Sequence, residues 1–230
     1  MVDLEAKLGG RLILGAKMHD VCLSDVRLGD FDGRPVVLKH PVKRAEAVAT
    51  MIAADHFAVK TVEYFEDEQV LVTERADKDL WDYMNHEKHI FSESELRSLV
   101  CSVLIALRCL HKCGVAHRDI KPENILVDGK RFLLADFGHA GSVHEGLIGT
   151  KVWTPPMTMA AALTAGGAIT FPLRADLADV QTLGMVMGAV MTAALARHSY
   201  SAKAKAVLRM LELGAPASAI LEAEWMYEEV

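Results

Sequence analysis

Residues 115–127 read Val-Ala-His-Arg-Asp-Ile-Lys-Pro-Glu-Asn-Ile-Leu-Val, and eight residues on, at 135–138, comes Ala-Asp-Phe-Gly. Asp119, Lys121 and Asn124 stand at relative positions 0, +2 and +5, and Asp136 lies seventeen residues beyond Asp119. Taken singly, an Asp or Asn here is a turn residue, since both side chains bond their own backbone in loops. Turn chemistry does not account for the joint pattern of carboxylate, ammonium, amide and second carboxylate.

Immediately before this stretch, Ser92 with Glu95 forms a capping box that opens a helix. Its apolar residues Leu96, Leu99, Val100, Val103, Leu104, Leu107 and Leu110 keep helical spacing, and Gly114 ends it as a C′ residue. After the stretch come two short strand-like pieces, ILVD (125–128) and RFLLAD (131–136), joined by a Gly129 turn. An irregular segment then runs from 137 to about 175. The most apolar run, Leu183 to Ala196, has fourteen residues, short of the ~20 that span a bilayer and suited to a helix buried all round. Within it Gly184 and Gly188 point to close packing against a neighbouring helix. Two amphipathic helices, AKAVLRMLEL and SAILEAEWM, follow, split by Gly214 and Pro216.

Toward the N-terminus the pattern is that of β-structure. RLIL (11–14), VCLSDVRL (21–28), PVVLK (35–39), TVEYF (61–65) and QVLVTE (69–74) read as strands, with turn chemistry at 29–33 and 66–68. One helix interrupts them, starting by Val42 after Pro41.

The composition sets outer bounds. The 230 residues carry 25 Lys+Arg and 31 Asp+Glu, a formal charge of −6, with 51% hydrophobic residues and a mean hydropathy of +0.19. This is the composition of a globular protein with one or two folding units, and it excludes disorder along the whole chain. A net negative chain without a basic block is a poor general binder of nucleic acid or anionic membrane, so neither is expected as a partner. The start, MVDLEAKLGG, has no apolar stretch of signal length, and Cys22, Cys101, Cys109 and Cys113 suit free thiols, so an intracellular place, cytoplasmic or nuclear, is expected. Cys109 and Cys113 lie near His111 and His117, but no second CxxC or HxxxH pair completes a zinc site.

The stretch 115–127 with Asp136-Phe137-Gly138 matches the catalytic loop and metal-binding motif of the eukaryotic-type protein kinases, which nearly the whole chain resembles. The resemblance implies an α+β, bilobal fold. Its N-lobe (1–75) is a small antiparallel sheet with one helix, and its C-lobe (76–230) is mostly helical and truncated, the two forming one catalytic domain. It also implies ATP and Mg2+ as cofactors and protein Ser/Thr hydroxyls as acceptors. In this scheme Asp119 is the base, Lys121 neutralises γ-phosphate charge, and Asn124 and Asp136 hold magnesium. Lys39 reaches the α- and β-phosphates and pairs with Glu46, the only Glu between Lys39 and Glu63. Leu14, Gly15, Thr73 as gatekeeper, Glu74, Ala76, Asp79 at the ribose and Leu126 complete the nucleotide site. Asp179, in DVQTLG, anchors the catalytic-loop backbone. Lys121-Pro122 is the serine/threonine form of the loop, and Glu123, Asp79 and Asp82 suggest acceptors near basic residues.

The sequence departs from the family in several places. GxGxxG reads Gly15-Ala16-Lys17-Met18-His19-Asp20, which keeps only the first glycine; side chains at the later positions reshape the phosphate cover, and Asp20 repels phosphate. GTKVWTPPM (149–157) resembles GTxxYxAPE, with Met157 for the final Glu, and the expected arginine partner is missing from 214–220, so both halves of a buried ion pair are absent together. The short connections resemble those of virus-encoded kinases. Two further readings stay open: a kinase-fold scaffold that binds nucleotide or partners and transfers phosphate poorly, and a small-molecule phosphotransferase of related fold.

Between Asp136 and Met157 only Ser142, Thr150 and Thr154 can accept phosphate, and the last two have other expected roles. Phosphatase treatment is therefore expected to leave activity unchanged; a strict requirement for phosphorylated Ser142 would defeat this expectation.

Overall fold

The computed structural model describes residues 2–18, 24–144, 153, 174–194 and 199–227. Its first lobe is a five-stranded antiparallel sheet in the order β1-β2-β3-β5-β4. The strands are β1 (Leu12–Lys17), β2 (Asp25–Phe31), β3 (Arg34–His40), β4 (Thr61–Phe65) and β5 (Val70–Glu74). One sheet face is apolar by alternation: Leu12, Val36, Leu38, Val70 and Val72 are buried together with Phe31. The opposite face carries Lys39, with Val26 and Leu71 as its cross-strand partners.

Three sequence expectations change in this lobe. The sheet carries two helices rather than one: α1 (Val2–Leu8) packs Leu4 into the apolar face, and α2 (Arg44–Ala53) lies beyond β3. β2 starts at Asp25 and runs through Gly29–Phe31, because the positive-φ residues that turn the chain are Asp32 and Gly33, a two-residue hairpin loop. α2 begins at Arg44, since Val42 is held outside it, its amide on the Gln69 carbonyl and its side chain buried beside Leu71. His19, Asp20 and Cys22 lie outside the described residues, as do Thr150, Thr154, Pro155 and Met157.

The second lobe is built on α4 (Glu93–Lys112), which opens on the expected Ser92–Glu95 capping box. Ahead of it lie β6 (Lys78–Asp79) and α3 (Leu80–Asn85); after it come β7 (Val115–Ala116), β8 (Ile125–Asp128), β9 (Arg131–Leu134) and β10 (Gly141–Ser142). β6, β8 and β9 form one small sheet, and β7 pairs with β10. α5 (Ala175–Ala194) starts eight residues before the apolar run and so reaches 20 residues. By length and composition it could cross a membrane, yet most of it is buried in the core with α4. α6 (Ala202–Glu212) follows as expected, whereas the last amphipathic piece is a short α7 (Ala217–Leu221) and a 3-10 turn, Glu224–Tyr227. The main core also takes in Ala49 and Ala53 of α2, so the first lobe's second helix packs with the second lobe's core.

The chain's end is tied back to the start of α4. Glu93 accepts hydrogen bonds from Trp225 Nε1 (2.8 Å), the Ser201 amide (2.8 Å) and the Ser201 hydroxyl (2.6 Å), and the Tyr200 hydroxyl donates to the Phe91 carbonyl at 2.9 Å.

The glycine pair in α5 divides. A Cβ at Gly184 would lie 3.0 Å from Leu211 Cβ and 3.2 Å from the Glu212 nitrogen of α6, whereas one at Gly188 meets nothing within 4 Å. Gly184→Ala should therefore destabilise by about 1–3 kcal/mol through overpacking, and Gly188→Ala should be neutral or stabilise by about 0.5–1 kcal/mol. Denaturant midpoints of the two variants measure the contrast.

Candidate active site

Strand alternation aims Lys39 out of the apolar face, and the first turn of α2 brings Glu46 to meet it. Lys39 Nζ donates to Glu46 Oε1 at 2.6 Å and to Asp136 Oδ1 at 2.8 Å. The seven-residue interval is thus long enough. Burial would lower the Lys39 pKa, but the charges of Asp136 and Glu46 outweigh it and hold the ammonium above its ordinary value. Burial likewise pushes the Asp136 carboxyl up, and the charge and hydrogen bond of Lys39 overcome this, leaving it below the usual carboxylate range. Gly138 has to be small: a Cβ there would stand 3.1 Å from Asp136 Oδ1 and 3.2 Å from Lys39 Nζ.

A second cluster forms on the loop between β7 and β8. Asp119, 5% exposed, pairs with Lys121 Nζ at 2.8 Å. Asn124 Nδ2 donates to the Asp119 carbonyl (2.8 Å) and to Asp119 Oδ2 (3.0 Å). With its amide hydrogens so engaged, Asn124 has its Oδ1 left as an acceptor, and with the Asp136 carboxylate it provides the hard oxygens that magnesium takes alongside phosphate and water. The donor set fits that ion.

The loop is held from beneath. Asp179 of α5 accepts the amides of His117 and Arg118, each at 2.8 Å, and His111 Nε2 stands 3.0 Å from the same carboxylate. Arg118 and Asp136 hold φ of +68° and +56°, a strained region for residues with a Cβ that persists only under such support. Arg118 Nε donates to the His139 carbonyl at 2.7 Å. His117 is fully buried with its ring edge-on to Phe137. Its Nε2 lies 3.0 Å from the Ala135 carbonyl, which can only accept, and its Nδ1 lies 3.3 Å from the Asp119 amide, which can only donate. The neutral Nε2–H tautomer satisfies both, and a second ring proton would oppose the Asp119 N–H.

The residues expected to line a nucleotide lie on several elements. Thr73 faces the same side of the sheet as Lys39, because it pairs with Val37, two residues from Lys39. Glu74 ends β5, and half-buried Ala76 follows in the connection. Asp79 caps α3 by accepting the Asp82 amide at 2.8 Å, and its carboxyl is raised chiefly by burial. Leu126 lies on the less buried side of β8. Gly15 sits in a tight place, since a Cβ there would lie 3.0 Å from the Leu28 carbonyl oxygen. Leu14 and Ile13 lie on opposite faces of β1. Leu14 pairs with Gly29 and packs with the apolar face, away from Lys39; Ile13, 56% exposed, shares the Lys39 face through Asp30 and Pro35. Counting parity back from Lys39 through β2 finds Ile13, but only once the register is known.

Burial depresses the His117 pKa, so acid protonates this ring in the unfolded chain and not in the folded one. Its stabilising contribution is complete above the unfolded pKa of about 6.5 and is lost as pH falls below it, at up to ~1.4 kcal/mol per pH unit. Urea midpoints at pH 7.5 and 5.5 should show this loss in the wild type and a smaller one in His117→Gln; equal losses would assign it to other groups.

Residues 44–210 match the family profile of the protein kinase domain. A probable serine/threonine-protein kinase of Dictyostelium discoideum is 35% identical over 79 residues, 34% of this chain and 16% of that protein. The liver/testis phosphorylase b kinase gamma catalytic chain of Mus musculus is 42% identical over 84 residues, 34% of this chain and 20% of its own. Cyclin-dependent kinase F-4 of Oryza sativa subsp. japonica is 32% identical over 142 residues, 61% of this chain and 29% of that protein. The chain thus spans less than a third of the length of these relatives. Among solved structures, the Cydia pomonella granulovirus kinase PK-1 has a TM-score of 0.75 over 98% of both chains at 17% identity, a likeness of fold.

Proposed function

This chain belongs to the protein kinase family, and we propose that it transfers the γ-phosphoryl group of ATP to serine and threonine hydroxyls of proteins. The observation that carries the reading is Lys39 Nζ bonded at once to Glu46 and Asp136, which ties the sheet, α2 and the segment after β9 into one charge cluster. ATP binds between the lobes, 1–75 and 76–230, with its adenine edge at Glu74 and Ala76 under Thr73 and its ribose at Asp79. Lys39, oriented by Glu46, holds the α- and β-phosphates. Asn124 and Asp136 hold Mg2+, which when bound neutralises charge on the phosphate oxygens.

Asp119 accepts the proton of the attacking hydroxyl or orients it. Lys121, already 2.8 Å from Asp119, lies where it can neutralise charge on the transferring group. Glu123, Asp79 and Asp82 favour acceptors near basic residues. A specific observation favours the second reading, a scaffold with weak transfer. Of the family's three cover glycines only Gly15 is kept, and exposed Ala16 and Lys17 follow it.

Magnesium-dependent phosphorylation of a generic basic protein decides between them. The first reading expects transfer in the wild type, its loss in Asp136→Ala, and a fall in kcat of about 10²- to 10⁴-fold in Asp119→Asn with nucleotide affinity retained. Nucleotide binding without transfer in the wild type selects the scaffold.

A further inference from the structure

The cover over the phosphates begins where the sheet is least supported. β1 is an edge strand, and its register with β2 holds at Leu14↔Gly29 and then breaks until Lys17↔Arg27. Leu14 is therefore the last residue in register before the irregular stretch that contains Gly15 and Ala16. An edge strand leaves alternate amides without a sheet partner. At Leu14 that amide is used: it donates to Glu5 Oε1 of α1 at 2.9 Å.

The sequence places Glu5 there by simple means. Gly9 and Gly10, with φ of +57° and +87°, turn the chain back after α1 so that the helix lies along the strand that follows it. Leu4, 1% exposed, seats the helix in the apolar face, and Lys7 pairs with Glu68 in the turn between β4 and β5 at 2.5 Å. α1 is thus tied to both edges of the sheet.

We propose that Glu5 is a positioning residue for nucleotide binding, which fixes the Leu14 backbone so that Gly15 and the residues after it start from a set place. In a cover that keeps one glycine of three, this hydrogen bond supplies definition that the loop's own sequence does not. The inference rests on the nucleotide reading above.

The test compares Glu5→Ala, which removes the acceptor, with Glu5→Gln, which keeps a carbonyl there. Three quantities are measured: hydrogen exchange of the Leu14 amide, affinity for a non-hydrolysable ATP analogue with Mg2+, and the ATP dependence of phosphorylation. In Glu5→Ala the Leu14 amide should exchange faster, analogue affinity should fall and KM for ATP should rise by roughly three- to tenfold, and kcat should stay within about twofold, as the loss of one charge-assisted hydrogen bond implies. Glu5→Gln should recover most of the affinity. A general loss of stability would lower kcat along with affinity and would not be rescued, which overturns the proposal. Unchanged analogue affinity in Glu5→Ala overturns it too and leaves the kinase reading intact. A wild-type protein that binds no nucleotide overturns that reading, and the inference with it.

Discussion

A single buried carboxylate holds the loop that carries the proposed chemistry. Asp179, 2% exposed, takes two consecutive backbone amides and stands against His111, and one of those amides belongs to Arg118, whose φ is positive. It stands one turn into α5, on the side that faces the loop. Without it two buried N–H groups lose their acceptor, at about 1–3 kcal/mol each, and the strained backbone at Arg118 loses its main-chain anchor. The orientation of Asp119 follows from that backbone, and those of Lys121 and Asn124 follow from Asp119. The most apolar helix of the chain thus contributes to the site through its one deeply buried charge-bearing turn, and its apolar remainder keeps that charge from moving.

Above the loop, the site consists of two compensated clusters. Lys39 stands between two carboxylates, and Asp119 between an ammonium and an amide. Charges held in this way are oriented before any ligand arrives. His117 joins the clusters, since its two ring nitrogens reach the strand leading to Asp136 on one side and Asp119 on the other. The separation of Asp119 from the strand leading to Asp136 is therefore set by the width of one neutral imidazole.

Much of this was legible in the sequence because local rules and tertiary needs coincide there. The capping box before α4 is self-contained in Ser92 and Glu95, and the spacing of Asp119, Lys121, Asn124 and Asp136 leaves few alternatives. The pairing of Lys39 with Glu46 was legible through the family resemblance, which implies a glutamate partner on the next helix, where Glu46 is the only one before Glu63. What was missed depends on long-range register. Leu14 and Ile13 are indistinguishable by composition, and only their pairing through β2 to β3 says which faces Lys39. α1 is too short to show a period, and it holds through Leu4, whose partners lie in strands far along the chain. Gly184 and Gly188 form one motif on paper and have two different environments, because α6 crosses α5 at only one of them.

The attachment of Glu93 to Trp225 has a kinetic side. The two residues are 132 apart in sequence, so the hydrogen bonds around this carboxylate form only after the residues between Glu93 and Trp225 have been synthesised. Until then the start of α4 lacks the Ser201 and Trp225 partners, while the sheet of the first lobe can already pair from local hairpins. During synthesis the sheet of the first lobe therefore has its hairpin partners well before the second lobe is made, whereas α2 waits for the α4 core against which Ala49 and Ala53 pack. Ser201 and Trp225 thus act as a latch on the second lobe, and a chain that stops short of Trp225 leaves Glu93, in the first turn of its long central helix, without the indole partner.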